Sequence, residues 1–138
     1  MMYRILIVED DPSIAAGLSY ALEKEGYFVT QCRSVAEAFE VSEAVHFDLA
    51  VLDMQLPDGV GKEIGQKLQA EQTQVIYLTV VDDEDEIDHT LENGTADYVT
   101  KPFRMRELMV RIRRILNIKT EEQQVIRLGD AVIDANAG

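Results

Sequence analysis

Six residues able to hold a metal or a phosphate stand where apolar runs end. Glu9, Asp10 and Asp11 follow Ile5-Leu6-Ile7-Val8, Asp53 follows Leu49-Ala50-Val51-Leu52, Thr79 follows Val75-Ile76-Tyr77-Leu78, and Lys101-Pro102 comes after Tyr98-Val99. Asp11 is accounted for as a helix cap, because an Asp-Pro pair places a capping carboxylate before a proline at the first helical position. A lone acid, Thr or Lys at such a place is commonly a solvated loop residue. Their joint occurrence at four strand ends is what points to a site. Two unit charges about 4 Å apart repel by roughly 4 kcal/mol at an effective dielectric near 20, so Glu9, Asp10 and Asp53 brought together call for a cation. Carboxylate oxygens suit the hard ion Mg²⁺, and three carboxylates, one Mg²⁺ and one lysine sum to zero formal charge. An acyl phosphate on Asp53 would add about one further negative charge. The metal and Lys101 would absorb it, with Thr79 donating a hydrogen bond.

The elements that must position these residues are legible from periodicity. Runs rich in β-branched residues, including Phe28–Cys32, alternate with helical spacings at Ile14/Leu18/Ala21/Leu22, Val35/Ala38/Phe39, Ile64/Leu68, Ile87/Leu91 and Leu108/Ile112/Ile115/Leu116. Five strands alternating with five helices predict an α/β fold: a doubly wound, five-stranded parallel sheet, (βα)5, of flavodoxin-like type. In such a sheet ligands bind at the carboxyl ends of the strands, where these residues stand. Gly26 and Asn93-Gly94 read as helix stops, and Leu56-Pro57-Asp58-Gly59 as a tight turn after the third strand.

The 138 residues fit one domain with a tail. Residues 1–118 are expected to form it, 119–124 (Lys-Thr-Glu-Glu-Gln-Gln) a polar linker, and 125–138 the opening of a second domain, with short strands at Val125–Leu128 and Ala131–Asp134. A net charge of -13 argues against this segment binding DNA or an anionic membrane by itself. The charge is segregated: six of seven residues in Asp82–Asp88 are acidic, while Lys101–Lys119 carries seven basic residues and one acid, Glu107. The single cysteine, Cys32, excludes an internal disulfide and reads as a buried thiol. With no apolar run of roughly 20 residues and no signal-peptide pattern at the start, a cytoplasmic location is expected.

Over Tyr3–Asn117 the chain resembles the CheY-like receiver domain of two-component response regulators. The motifs are Val8-Glu9-Asp10-Asp11, Leu52-Asp53-Met54-Gln55-Leu56-Pro57-Asp58-Gly59, Leu78-Thr79 and Tyr98-Val99-Thr100-Lys101-Pro102-Phe103. The resemblance implies that Asp53 accepts a phosphoryl group from a sensor histidine kinase. It implies that Asp10, Asp53 and the Gln55 carbonyl ligate Mg²⁺ with Glu9 acting through water, and that Lys101, after a cis peptide to Pro102, pairs with the phosphoryl oxygens. Thr79 and Tyr98 would be the switch residues, Thr79 moving toward the phosphoryl group and Tyr98 turning inward. The protein would then be a signalling switch more than a turnover enzyme.

The segment Arg104–Asn117 is similar to the class that homodimerises through its fourth helix, fifth strand and fifth helix and carries a winged-helix DNA-binding domain. There Asp97 of one subunit would meet Arg111 of the other, with Glu107 on the same face, and DNA would be bound only by the second domain. The chain departs from the family pattern at Val80, where a small residue is usual, and at His89, where Lys or Arg often pairs with Glu107. Val81 and Gln55 stand where these proteins vary their dephosphorylation rate. Three alternatives remain: a degenerate receiver that signals without phosphate, an Mg²⁺-dependent aspartyl-phosphate phosphohydrolase, and a flavin-binding module. The second usually has its DxD motif after the first strand, and Asp53-Met54-Gln55 follows the third. The acids Glu9–Asp11 would repel the phosphate of the third.

Overall fold

Uninterrupted apolar strands form the centre of the computed structural model, which describes residues 2–80 and 97–128. β1 (Arg4–Val8), β2 (Phe28–Cys32), β3 (Leu49–Asp53), β6 (Gln74–Thr79) and β7 (Asp97–Thr100) make one parallel sheet in the order β2-β1-β3-β6-β7. Because side chains alternate across a strand, each central strand supplies both faces. Ile5, Ile7, Leu49, Val51, Ile76 and Leu78 pack against Leu18, Leu22, Leu108 and Ile112. Leu6, Val8, Ala50, Leu52, Val75 and Tyr77 pack on the opposite face against Val35, Ala38, Ile64 and Leu68.

Helices α1 (Pro12–Lys24) and α4 (Met105–Leu128) thus cover one face, and α2 (Val35–Ala44) and α3 (Gly61–Ala70) the other. The expected doubly wound parallel sheet is the observed one. The Asp11 carboxylate accepts from Ser13 N and Ile14 N, as an N-cap should. Gly26, at φ 94°, ends α1: its N–H donates to the Glu23 carbonyl and Tyr27 N–H to that of Leu22, a closure that needs a left-handed residue. Cys32 is buried, which pushes its thiol up to about 11.

Two local differences have physical reasons. The turn after the third strand is a small hairpin, β4 (Gln55–Leu56) against β5 (Gly59–Val60), with Pro57-Asp58 at its tip. Beyond Asn117 the expected linker and the strand at Val125–Leu128 are both helix, as the continuation of α4. Lys, Glu and Gln are good helix formers, and a helix satisfies its own backbone where a strand needs a neighbour. The predicted fourth helix, the acidic block Asp82–Asp88, Val81, His89, the Asn93-Gly94 stop and the strand at Ala131–Asp134 lie outside the described residues.

Candidate functional site

The parallel register brings the carboxyl ends of β1, β3, β6 and β7 to one rim, and the site is built there. Carboxylate oxygens of Glu9, Asp10 and Asp53 lie within 4.8 Å of one another. Glu9 and Asp53 are buried and Asp10 is exposed, so the cluster opens to solvent on one side. Lys101 Nζ stands 2.7 Å from Glu9 Oε1 and 3.2 Å from Asp53 Oδ2, bridging the two buried acids. The Lys101-Pro102 peptide is cis, as the motif implied.

Backbone groups hold this geometry. Asp11 N–H donates to Glu9 Oε2 at 3.0 Å, and Gln55 N–H to Asp53 Oδ1 at 3.0 Å. Met54 N–H donates to the Leu78 carbonyl at 2.8 Å and Lys101 N–H to the Thr79 carbonyl at 2.6 Å, tying the three loops together. A Cβ on Gly61, at the start of α3, would stand 2.1 Å from the Asp53 carbonyl oxygen, so only glycine allows the helix to approach this closely.

The electrostatics follow from burial. Desolvation raises the Glu9 carboxyl to about 7, against the opposing Lys101 ammonium and Asp11 N–H, with Asp53 adding to the rise. Burial works against the Lys101 charge, yet the Glu9 and Asp53 carboxylates beside it leave its pKa raised. The rim is therefore rich in anionic oxygen with one ammonium between. Hard oxygen ligands converging from two strand ends suit a cation such as Mg²⁺, and Glu9, Asp10 and Asp53 are the carboxylates that could hold it.

Thr79 is buried at the end of β6 and Val80 after it is exposed. Tyr98 packs inward on the core face that holds Tyr77, ring centroids 6.4 Å apart. Asp97 is half-buried at the start of β7. It accepts from Arg111 NH1 at 2.9 and 2.7 Å within the same chain, and Glu107 Oε1 adds a 3.4 Å contact to that guanidinium.

Comparison with known proteins accords with the geometry. The model of the response regulator receiver domain family matches residues 5–113. The chain belongs to that family. It is 34% identical over 139 residues to the DNA-binding response regulator MtrA of Mycolicibacterium smegmatis, covering 99% of this chain and 61% of that protein. It is 34% identical over 124 residues to the nisin biosynthesis regulatory protein NisR of Lactococcus lactis subsp. lactis, covering 89% and 53%. The chain thus spans less than two thirds of the length of these relatives.

Among solved structures, the CheY-like receiver domain protein of Methanospirillum hungatei JF-1 superposes with a TM-score of 0.82 at 31% identity, covering 88% of this chain and 99% of that one. The BeF3-activated DrrB receiver domain gives 0.76 at 34% identity, with 85% and 99% covered.

Within this receiver, two residues at the site carry more than their sequence context indicated. Gly61 was not singled out, because a close backbone approach leaves no local pattern. Asp58 read as turn chemistry alone, yet its carboxylate reaches back 23 residues to Val35 N–H at 2.8 Å and also takes Ala36 N–H at 3.0 Å.

Proposed function

We propose that this receiver accepts a phosphoryl group on Asp53 from a sensor histidine kinase, in the presence of Mg²⁺, and passes the change to a dimer interface that governs transcription. The observation that carries this reading is the Lys101 ammonium set between the buried Glu9 and Asp53 carboxylates, with Asp10 on the open side. Phosphoryl transfer asks little of a protein beyond alignment and neutralisation of charge on the equatorial oxygens. When bound, Mg²⁺ supplies the larger part of that neutralisation. Asp10, Asp53 and the Gln55 carbonyl would hold it, Glu9 acting through water.

The chain's own groups do the rest. Asp53 Oδ1 is fixed by the Gln55 N–H, leaving Oδ2, the oxygen facing Lys101, to form the O–P bond as the P–N bond to the kinase histidine breaks and its imidazole leaves. Lys101 is already charged and within reach of the oxygens that would gather there. Thr79 donates to the phosphoryl group, and Tyr98 holds the inward position. Residues 1–118 form the receiver, and 119–138 lead into a DNA-binding effector domain, a winged helix by its class. No helix among the described residues is long and apolar enough to cross a membrane. Dimerisation through the face bearing Asp97, Glu107 and Arg111 would exchange the Asp97–Arg111 pair within one chain for the same pair between chains.

Incubating the chain with Mg²⁺ and a small acyl phosphate, then following intact mass, tests the first step. A gain of one phosphoryl group that is lost with chelator or in Asp53→Ala supports the reading. No gain in the wild type favours a degenerate receiver.

A further inference from the structure

The exposed Asp58 carboxylate hydrogen-bonds across to the start of α2, a separate part of the chain. It stands at the tip of the β4–β5 hairpin and accepts Val35 N–H at 2.8 Å on Oδ1 and Ala36 N–H at 3.0 Å on Oδ2. These are first-turn amides of α2, which have no partner within their own helix. The third, Glu37 N–H, donates to Ser34 Oγ at 3.2 Å. The helix therefore has its own cap and needs Asp58 only for the remaining donors. The two N–H bonds hold the Asp58 carboxyl below its usual range.

Leu56 of the hairpin packs in the core cluster that holds Val35, Val60 N–H donates to Glu63 Oε1 at 3.5 Å, and two further bonds hold the hairpin at its base. There Gln55 N–H donates to Asp53 Oδ1, and Gly61 N–H donates to the Met54 carbonyl at 3.0 Å. The start of α2 is in turn close to the acidic loop, since Glu9 N–H donates to the carbonyl of Cys32, two residues before Ser34, at 3.0 Å. Asp58 thus closes a ring of loops: Glu9, the β2–α2 corner, the hairpin tip, Gln55 and Asp53.

We infer that Asp58 is a positioning residue for the metal site, holding the hairpin so that the Gln55 carbonyl and the Asp53 carboxylate keep one orientation. It touches neither ion nor phosphate and acts through the backbone it anchors. Groups that orient ligands in this indirect way commonly change metal affinity when removed. The inference rests on the Mg²⁺ reading of the site.

Calorimetric Mg²⁺ titration of the wild type, Asp58→Ala, Ser34→Ala and Asp53→Asn tests it, with amide hydrogen exchange at Val35 and Ala36 read alongside. Ser34→Ala is the control, because it weakens the same helix end without touching the hairpin. The expected result is a dissociation constant raised about tenfold in Asp58→Ala, with faster exchange at Val35 and Ala36, and unchanged affinity in Ser34→Ala. Asp58→Asn keeps the volume and one acceptor oxygen; it should fall between, and it serves if Asp58→Ala does not fold. Wild-type affinity in Asp58→Ala overturns the inference. So does an equal loss in Ser34→Ala, which would trace the effect to helix stability. If wild type and Asp53→Asn titrate alike, the metal reading itself fails and the inference falls with it.

Discussion

Glu9 should make the metal-free protein lose stability as pH rises toward neutrality. Its carboxyl is buried to 1% exposure, and desolvation lifts it from 4.5 to about 7 in the folded chain. A group whose folded pKa lies above its unfolded value binds its proton more tightly when folded. Its stabilising contribution is complete below about pH 4.5 and is lost as pH climbs through about 7. At 1.36 kcal/mol per pKa unit, that contribution is on the order of 3 kcal/mol. The perturbation is Glu9→Gln, which keeps the shape and cannot titrate. Urea unfolding of both proteins across this pH range in chelator reads the effect, since acidic residues away from Glu9 titrate in both and cancel in the difference, leaving Glu9 and its coupling to Asp53. Wild-type stability minus that of Glu9→Gln should fall as pH rises. A difference that stays flat, or rises with pH, would refute the claim that burial outweighs Lys101 at this carboxyl.

Other outcomes follow from separate contacts. Lys101→Ala leaves the two buried carboxylates without their cation and should cost about 3 kcal/mol in metal-free buffer, read from urea midpoints, with a larger stabilisation by Mg²⁺ than in the wild type. Gly61→Ala would force a carbon to 2.1 Å from the Asp53 carbonyl oxygen, so a loss of about 1–3 kcal/mol in urea unfolding and slower phosphorylation from an acyl phosphate are expected. Gln72 ends α3 at φ 66°, a left-handed position that favours glycine. Gln72→Gly should raise stability by about 0.5–1 kcal/mol, seen as a higher melting temperature.

The sheet could be read from sequence because its central strands are buried on both faces, which leaves apolar runs such as Ile5–Val8 and Leu49–Leu52 without polar alternation. The acids, the hydroxyl and the lysine were legible for a related reason. A polar residue directly after such a run stands at the sheet's rim, and the rim is where ligands bind. What escaped were relations between distant segments. Asp58 carries local turn chemistry that accounts for it without reference to Val35, and Gly61 is one glycine among 8 until Asp53 is placed beside it. The resemblance places Asp97 against Arg111 of a second chain; within one chain the two side chains also meet, at 2.9 and 2.7 Å, a relation between β7 and α4 that no local pattern shows. At the far end, Val125–Leu128 has strand composition, but the backbone there follows α4.

The central claim is that Asp53 is the phosphoryl acceptor. Hydride reduction of the chain after exposure to Mg²⁺ and an acyl phosphate, followed by peptide mass mapping, locates the acceptor by converting an aspartyl phosphate to homoserine. Homoserine at position 53 and at no other aspartate is the predicted result. Homoserine at Asp10, or an unmodified Asp53 in a protein that has gained a phosphoryl group, would contradict the account.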